Sequence, residues 1–202
     1  SSDLGATFFS MVISVFATYG FSRFKFPGSN SILVAIIFSR ILPRVTLIVP
    51  FFVILKTLRL YNTFPGLILV YLMVGMPVAL WIIKGFFDNV PHEMEEAGII
   101  DGCSPLGVLF RIVLPIAAPA IAAITMYAFI LSWNEFLLAL VLTADASTQP
   151  ISIGLAFYQT EHGISWGPLM AASFLMSVPA VVVFSVFQGQ LVRGLTEGAV
   201  KG

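Results

Sequence analysis

Residues 93–102 place Glu93, Glu95, Glu96 and Asp101 around Ala97 and Gly98 and stop at Gly102, in a chain that is 58% hydrophobic and only 10% charged. The stretch closes further on with Ile112-Val113-Leu114-Pro115. Carboxylates crowded in this way offer an ionic contact to a basic partner. A second set, Arg40, Arg44, Asn134 and Glu135, lies inside or at the edge of long apolar runs. Ionisable groups in such places are costly and usually face a bundle interior or a water-filled path. Bond-making chemistry is disfavoured. Glu135 has no second intramembrane acid beside it, and His92 and His162 fall in loops on opposite faces, so neither a two-carboxylate nor a Ser/His arrangement can form. The chain contains no Gly-x-x-x-x-Gly-Lys-Ser/Thr loop, which excludes the usual mode of ATP binding. Cys103 is its single cysteine and excludes an internal disulfide.

The elements that carry these residues follow from composition. An ordinary soluble domain is roughly 25% charged, so a chain with 10% cannot cover a water-facing surface and takes lipid as its main solvent. A bilayer core about 30 Å thick needs about 20 mostly apolar helical residues. Runs 4–22, 31–55, 64–84, 113–142 and 168–190 qualify. They predict an all-α polytopic membrane protein with five transmembrane helices in a single domain over residues 1–202. Pro43 and Pro50 interrupt the second run and should kink it. The zero net charge gives no sign of a nucleic-acid partner.

Lys and Arg favour the cytoplasmic side of a membrane protein. Alternating the connections puts Arg23, Lys25, Lys84, Arg111, Arg193 and Lys201 on one side, against Lys56 and Arg59 on the other. Loop 86–115 and the C-terminus are therefore expected in the cytoplasm, and Thr143–Trp166, which has no Lys or Arg, outside. Five spans also put the N-terminus outside, which predicts at least one more span upstream, a cleaved signal peptide being the alternative. Within the loop, Asp88 or Asn89 is expected to cap a helix with Pro91 in its first turn and acids near its positive end. Gly102 should end that helix, and Ser104-Pro105 should open a second one. Leu114-Pro115 is expected to turn the chain into the next span, giving two short helices set at an angle.

Glu96-Ala97-Gly98, then three residues, Gly102, then nine residues and Ile112-x-Leu114-Pro115 resembles the "EAA loop" of membrane subunits of binding-protein-dependent ATP-binding-cassette importers. Tyr19-Gly20-Phe21-Ser22-Arg23-Phe24-Lys25-Phe26-Pro27-Gly28, Trp133-Asn134-Glu135-Phe136 and the tail Gly194–Gly202 look like the sugar-uptake branch, in particular its MalG-like second permease subunit. The resemblance covers essentially the whole chain and implies six spans in the complete subunit, with one more helix at the N-terminus. Gly98 stands where the family has its second alanine, and Glu197 where a small or uncharged residue is common.

The resemblance implies a multi-pass subunit of a prokaryotic cytoplasmic membrane that moves a sugar by ATP-driven alternating access. Its partners would be a second homologous permease, two ATPase subunits holding ATP and magnesium, an extracytoplasmic solute-binding protein and the lipid bilayer, with no cofactor on this chain. Glu93, Glu95, Glu96, Ala97, Gly98, Asp101, Gly102, Ile112, Leu114 and Pro115 would form the ATPase-coupling element, with Glu96 as the ionic contact. Arg40, Arg44, Asn134 and Glu135 would line the path or pair helices together. Gln149, Tyr158, Glu161, His162 and Trp166 would face the solute-binding protein. Tyr127, Trp133 and Trp166 offer ring faces for sugars or for interfacial anchoring. A non-sugar solute in the same importer class is the nearest competing expectation. A secondary transporter would carry its own repeats and have no use for a motor-docking loop.

Overall fold

The computed structural model describes residues 2–24, 26–160 and 163–199, and side chains throughout these except at 160 and 190–199. Ten α-helices follow one another among the described residues: α1 (Ser2–Arg23), α2 (Ser29–Phe38), α3 (Arg44–Thr57), α4 (Phe64–Asp88), α5 (His92–Ile100), α6 (Pro105–Val108), α7 (Leu114–Trp133), α8 (Leu137–Leu142), α9 (Ile151–Gly154) and α10 (Trp166–Ala199). A two-stranded antiparallel ribbon, Gln159–Thr160 with Gly163–Ile164, precedes α10. The architecture is that of an all-α polytopic membrane protein. Four helices are long and apolar enough to cross a bilayer, and the bent pair α2–α3 makes a fifth if it is one span.

α1 packs along α4, and α7 packs against both. The α1–α4 seam is built from small and hydroxyl-bearing residues. Ser10 faces Gly75, and the Thr18 hydroxyl donates to the Leu80 carbonyl at 3.3 Å. Small residues let backbones approach in lipid, where apolar association alone gives little drive. Two buried clusters divide the bundle by height. One gathers Tyr19, Ile83, Phe87, Val90, Leu109 and Val113 at the α4–α5 end; the other gathers Ala6, Leu55, Leu67, Tyr71, Leu138 and Ile153 at the opposite end. α10 packs on α7 and leaves most of its apolar length uncovered, including Phe174, Leu175, Val181 and Val186.

The kink expected in run 31–55 forms at one of its two prolines, and three further local expectations are corrected. The run 31–55 is a broken element, with α2 and α3 bent 108° apart. The break falls at Leu42-Pro43, where the residue before proline is driven out of the helical region, and Leu42 is extended (ψ 127°). Pro50 stays inside α3. The run 113–142 is also interrupted: α7 ends at Trp133 and α8 begins at Leu137, with the Glu135 carboxylate accepting from the Leu138 amide at 3.1 Å in the first turn of the second helix.

Leu114-Pro115 makes no turn: residues Pro105–Trp133 run as one helix. Leu109–Val113 adopts π geometry, with the Leu114 amide bonding to the Leu109 carbonyl. The wider turn accommodates a proline that would otherwise clash with the preceding turn. Finally, α10 continues to Ala199 through most of the expected tail, while residues 200–202 and the Glu197 side chain lie outside the described part.

Candidate functional site

Neither Asp88 nor Asn89 caps α5. Asp88 pairs with Lys84 at 2.6 Å, and the Asn89 amide donates to the Gly85 carbonyl at 2.8 Å. Both are spent on closing α4, and Pro91 opens α5 through its backbone alone. The other end follows the sequence closely. Gly102 has φ +86°, the Gly102 amide bonds to the Ile99 carbonyl and the Cys103 amide to the Gly98 carbonyl. This is the paired closure that requires a left-handed residue, for which glycine has no steric cost. The Ser104 hydroxyl then accepts from the Gly107 amide at 3.1 Å, with Pro105 in the first turn of α6.

The two faces of α5 differ. Glu93, Glu96, Ala97, Asp101 and Gly102 are exposed, whereas Glu95 and Gly98 are buried. Met94, Ile99, Ile100 and Leu106 are large apolar side chains at the same exposed tip, and Ile100 is 84% exposed. Gly98 sits against the π turn. A Cβ at this position would meet the Ile112 Cδ1 at 2.5 Å, so the glycine allows α5 to lie down on Ile112. Gly98 thus belongs to the internal packing face. Leu114 packs at the margin of the cluster around Leu109 and Val113, and Pro115 is exposed.

Glu95 is occupied within the chain. Arg23, at the end of α1, donates from Nε to the Glu95 carboxylate at 2.6 Å and from Nη2 to the Phe87 carbonyl at 2.8 Å. Both side chains are only 8% exposed. One turn earlier on α1, the Tyr19 hydroxyl donates to the Pro105 carbonyl at 3.3 Å. The sequence gives Arg23 only as a cytoplasmic-side cation and assigns neither residue a contact with the loop. The available signal was their spacing of four, which puts both on one helix face.

The polar residues at mid-depth form a second locus. Arg44, at the start of α3, pairs with Glu135 at 2.9 Å; its side chain is 41% exposed against 9% for Glu135. Arg40 donates to the Val74 carbonyl at 3.1 Å and stands 3.5 Å from the Tyr127 hydroxyl. Val74 is next to Met73, whose carbonyl loses its helical donor at Pro77. A cleft of about 390 Å³ opens here, lined by Ser39, Arg40, Arg44, Phe51 and Met73. Asn134 is set apart from it: its amide donates to the Ile130 carbonyl at 2.9 Å and closes α7. Trp133 stacks on Phe129 and donates its indole N–H to the Met176 carbonyl at 3.0 Å, so its ring is committed to packing.

At the far end, Asn62 has φ +57° and its side-chain oxygen accepts from the Ala144 amide (2.7 Å), the Asp145 amide (3.1 Å) and the Thr148 hydroxyl (2.6 Å). This clamp, also missed from sequence, joins the α3–α4 connection to the start of segment 143–166. Within that segment Tyr158 and Trp166 are exposed and Gln149 is half-buried. Glu161 and His162 lie outside the described residues.

Residues 10–197 match the family of the binding-protein-dependent transport system inner membrane component. This chain belongs to that family. It is similar to the sulfoquinovosyl glycerol transport system permease protein SmoH of Agrobacterium fabrum, 36% identical over 197 residues, covering 98% of this chain and 69% of the relative. The diacetylchitobiose uptake system permease protein DasC of Streptomyces coelicolor is 34% identical over 197 residues, with coverage of 98% and 71%. The trehalose/maltose transport system permease protein MalG of Thermococcus litoralis is 36% identical over 197 residues, with coverage of 97% and 71%. The fold matches that in the crystal structure of a bacterial ABC transporter involved in import of the acidic polysaccharide alginate, with TM-score 0.70, 22% identity and coverage of 93% of this chain and 74% of that one. The chain is thus a permease subunit of an ATP-binding-cassette importer and not an enzyme; in such systems the ATPase is a separate subunit.

Proposed function

We propose that this permease forms half of a translocation path for a sugar, beside a second homologous permease, with α5 and α6 docked in a cleft of an ATPase subunit. ATP and magnesium would be held by two such ATPases. The observation that carries the docking reading is the tip itself. Ile100 and Ile99 stand exposed on a helix closed by Gly102, flanked by the free carboxylates of Glu93, Glu96 and Asp101. Exposed apolar side chains with a charged rim suit a protein contact better than water. Arg23, Lys84 and Arg111 belong to this end of the bundle, which favours placing the tip and the C-terminus in the cytoplasm. Segment 143–166, held by the Asn62 clamp at the other end, would then meet the solute-binding protein through Gln149, Tyr158 and Trp166. The uncovered length of α10 leaves room for lipid or the second permease.

A photoreactive side chain placed at Ile100 or at Trp166 of the assembled importer tests both the docking and the orientation. Crosslinking to the ATPase from position 100 and to the solute-binding protein from position 166 is expected. The reverse pattern would overturn the orientation, and no ATPase adduct from position 100 would overturn the docking.

The sugar assignment is supported by the substrates for which the relatives are named, together with the cleft at Arg40 and Arg44. Those two guanidiniums, with the Tyr127 hydroxyl, supply the donors that hydroxyl-rich solutes need. A thermal-shift panel on the cognate binding protein should show stabilisation by one or more saccharides. Stabilisation only by amino acids or inorganic phosphate would remove the sugar claim.

A further inference from the structure

We infer that the Arg23–Glu95 pair is a strut that converts displacement of α5 into movement of α1 and α4, so that both are positioning residues for transport although neither touches solute or nucleotide. The inference rests on α5 being the docked element. α5 has nine residues, too few for a helix to hold its own shape in water, where about 12–15 are marginal. Its stiffness must come from what grips it.

Two inward positions, one turn apart, supply that grip. Gly98 lies on Ile112 of the π turn and so engages the helix that becomes α7. Glu95 engages the rest of the bundle through a single guanidinium. The Arg23 Nε meets the Glu95 carboxylate, while Nη2 reaches the carbonyls of Phe87 (2.8 Å) and Val90 (3.4 Å). The Phe87 carbonyl belongs to the end of α4, where helical donors run out, and the Val90 carbonyl to the connection between α4 and α5.

One side chain therefore joins α1, α4 and α5, and its planar fork is what lets three acceptors be served at once; an ammonium on a flexible stem would not hold them in fixed directions. Burial is the second argument. A buried ion pair gives little net stability over apolar residues of similar size, but its hydrogen bonds are directional. Apolar contacts at this point would allow α5 to slide over α1, whereas the charge-assisted bonds fix its position. Phe87 and Val90 also belong to the cluster that packs Tyr19 against Ile83 and Leu109, so a push delivered at Ile100 enters the whole inner half of the bundle.

The test uses the complete importer, with both permeases, ATPases and loaded binding protein, carrying Glu95→Gln. The readouts are the amount of ATPase that co-purifies, ATP hydrolysed, and solute taken up per ATP. The expected result is normal co-purification and hydrolysis, with uptake per ATP down about tenfold, within the range usual for coupling between sites. Arg23→Lys, which keeps one charge contact and loses the fork, should lower the same ratio several-fold, and it decides the matter if the Gln variant does not assemble. An unchanged uptake per ATP in the assembled variants would overturn the strut. So would a fall in hydrolysis and uptake in step with the amount assembled, the signature of a merely structural pair. Failure of docking itself would show separately, as an unsubstituted importer without an ATPase adduct from position 100.

Discussion

Gly98→Leu is expected to yield an importer that inserts in the membrane yet takes up no solute, while Gly98→Ala should transport like the parent. The two substitutions differ in how far the side chain reaches. The first carbon beyond Cα already meets the Ile112 Cδ1 at 2.5 Å, with Val108 Cγ2 next at 3.5 Å. The first of these is the far end of a flexible chain, so a single methyl is accommodated by rotating Ile112. Alanine also recovers roughly 1 kcal/mol of helix propensity relative to glycine, which offsets the shift. Leucine must displace Ile112 and Val108 together, and overpacking of this kind costs about 1–3 kcal/mol. Much of that cost can be relieved only by lifting α5 off the π turn, which moves Ile100 and the tip. Uptake into membrane vesicles, together with the amount of ATPase co-purifying with each variant, checks this. A leucine variant with parental uptake, or an inactive alanine variant, would show that α5 is not seated by this contact.

Removal of the Glu135 carboxylate, as Glu135→Ala, should be the most damaging single change at mid-depth. Two losses coincide there. The Leu138 amide loses the acceptor that opens α8, worth about 0.5–2 kcal/mol for a helix cap. Arg44 loses its only carboxylate partner among the described residues. Breaking a fully buried pair costs about 3–5 kcal/mol, but Arg44 is 41% exposed to the cleft and water screens part of that. The two together should come to roughly 2–4 kcal/mol. The double variant Arg44→Met with Glu135→Ala should be less destabilised than the sum of its parts, because neither charge is then left without a partner. Midpoints of thermal inactivation of the purified importer provide the comparison. Additive losses would mean that the 2.9 Å pair carries no coupling energy.

Local signals in the chain were read well wherever the cause was local. Gly102 ended α5 because a left-handed closure needs glycine, and Ser104-Pro105 opened α6 because a hydroxyl cap and a first-turn proline act within three residues. At Leu114-Pro115 a neighbouring local feature overrode the signal. The pair was read as a turn, but a π turn just before it absorbed the proline and the helix ran on. Asp88 and Asn89 failed as caps because the preceding helix claimed both side chains first. Pro43 and Pro50 look alike in sequence, yet only Pro43 marks a 108° break; Arg44 beside it is drawn to a residue 91 positions away.

By itself, then, the sequence determined the membrane class, the approximate helical runs, the presence of a punctuated polar loop and the resemblance to its family. Length and composition suffice for the first two, short-range capping chemistry for the third, and the motif spacing of residues 96–115 for the resemblance to the family. The tertiary structure decided which carboxylate faces outward. Glu95 and Glu96 are neighbours of the same type, and nothing in their own surroundings in the chain separates them. Only the folding of α1 against α4 brings Arg23 from 72 residues away to bury one carboxylate and leave the other free.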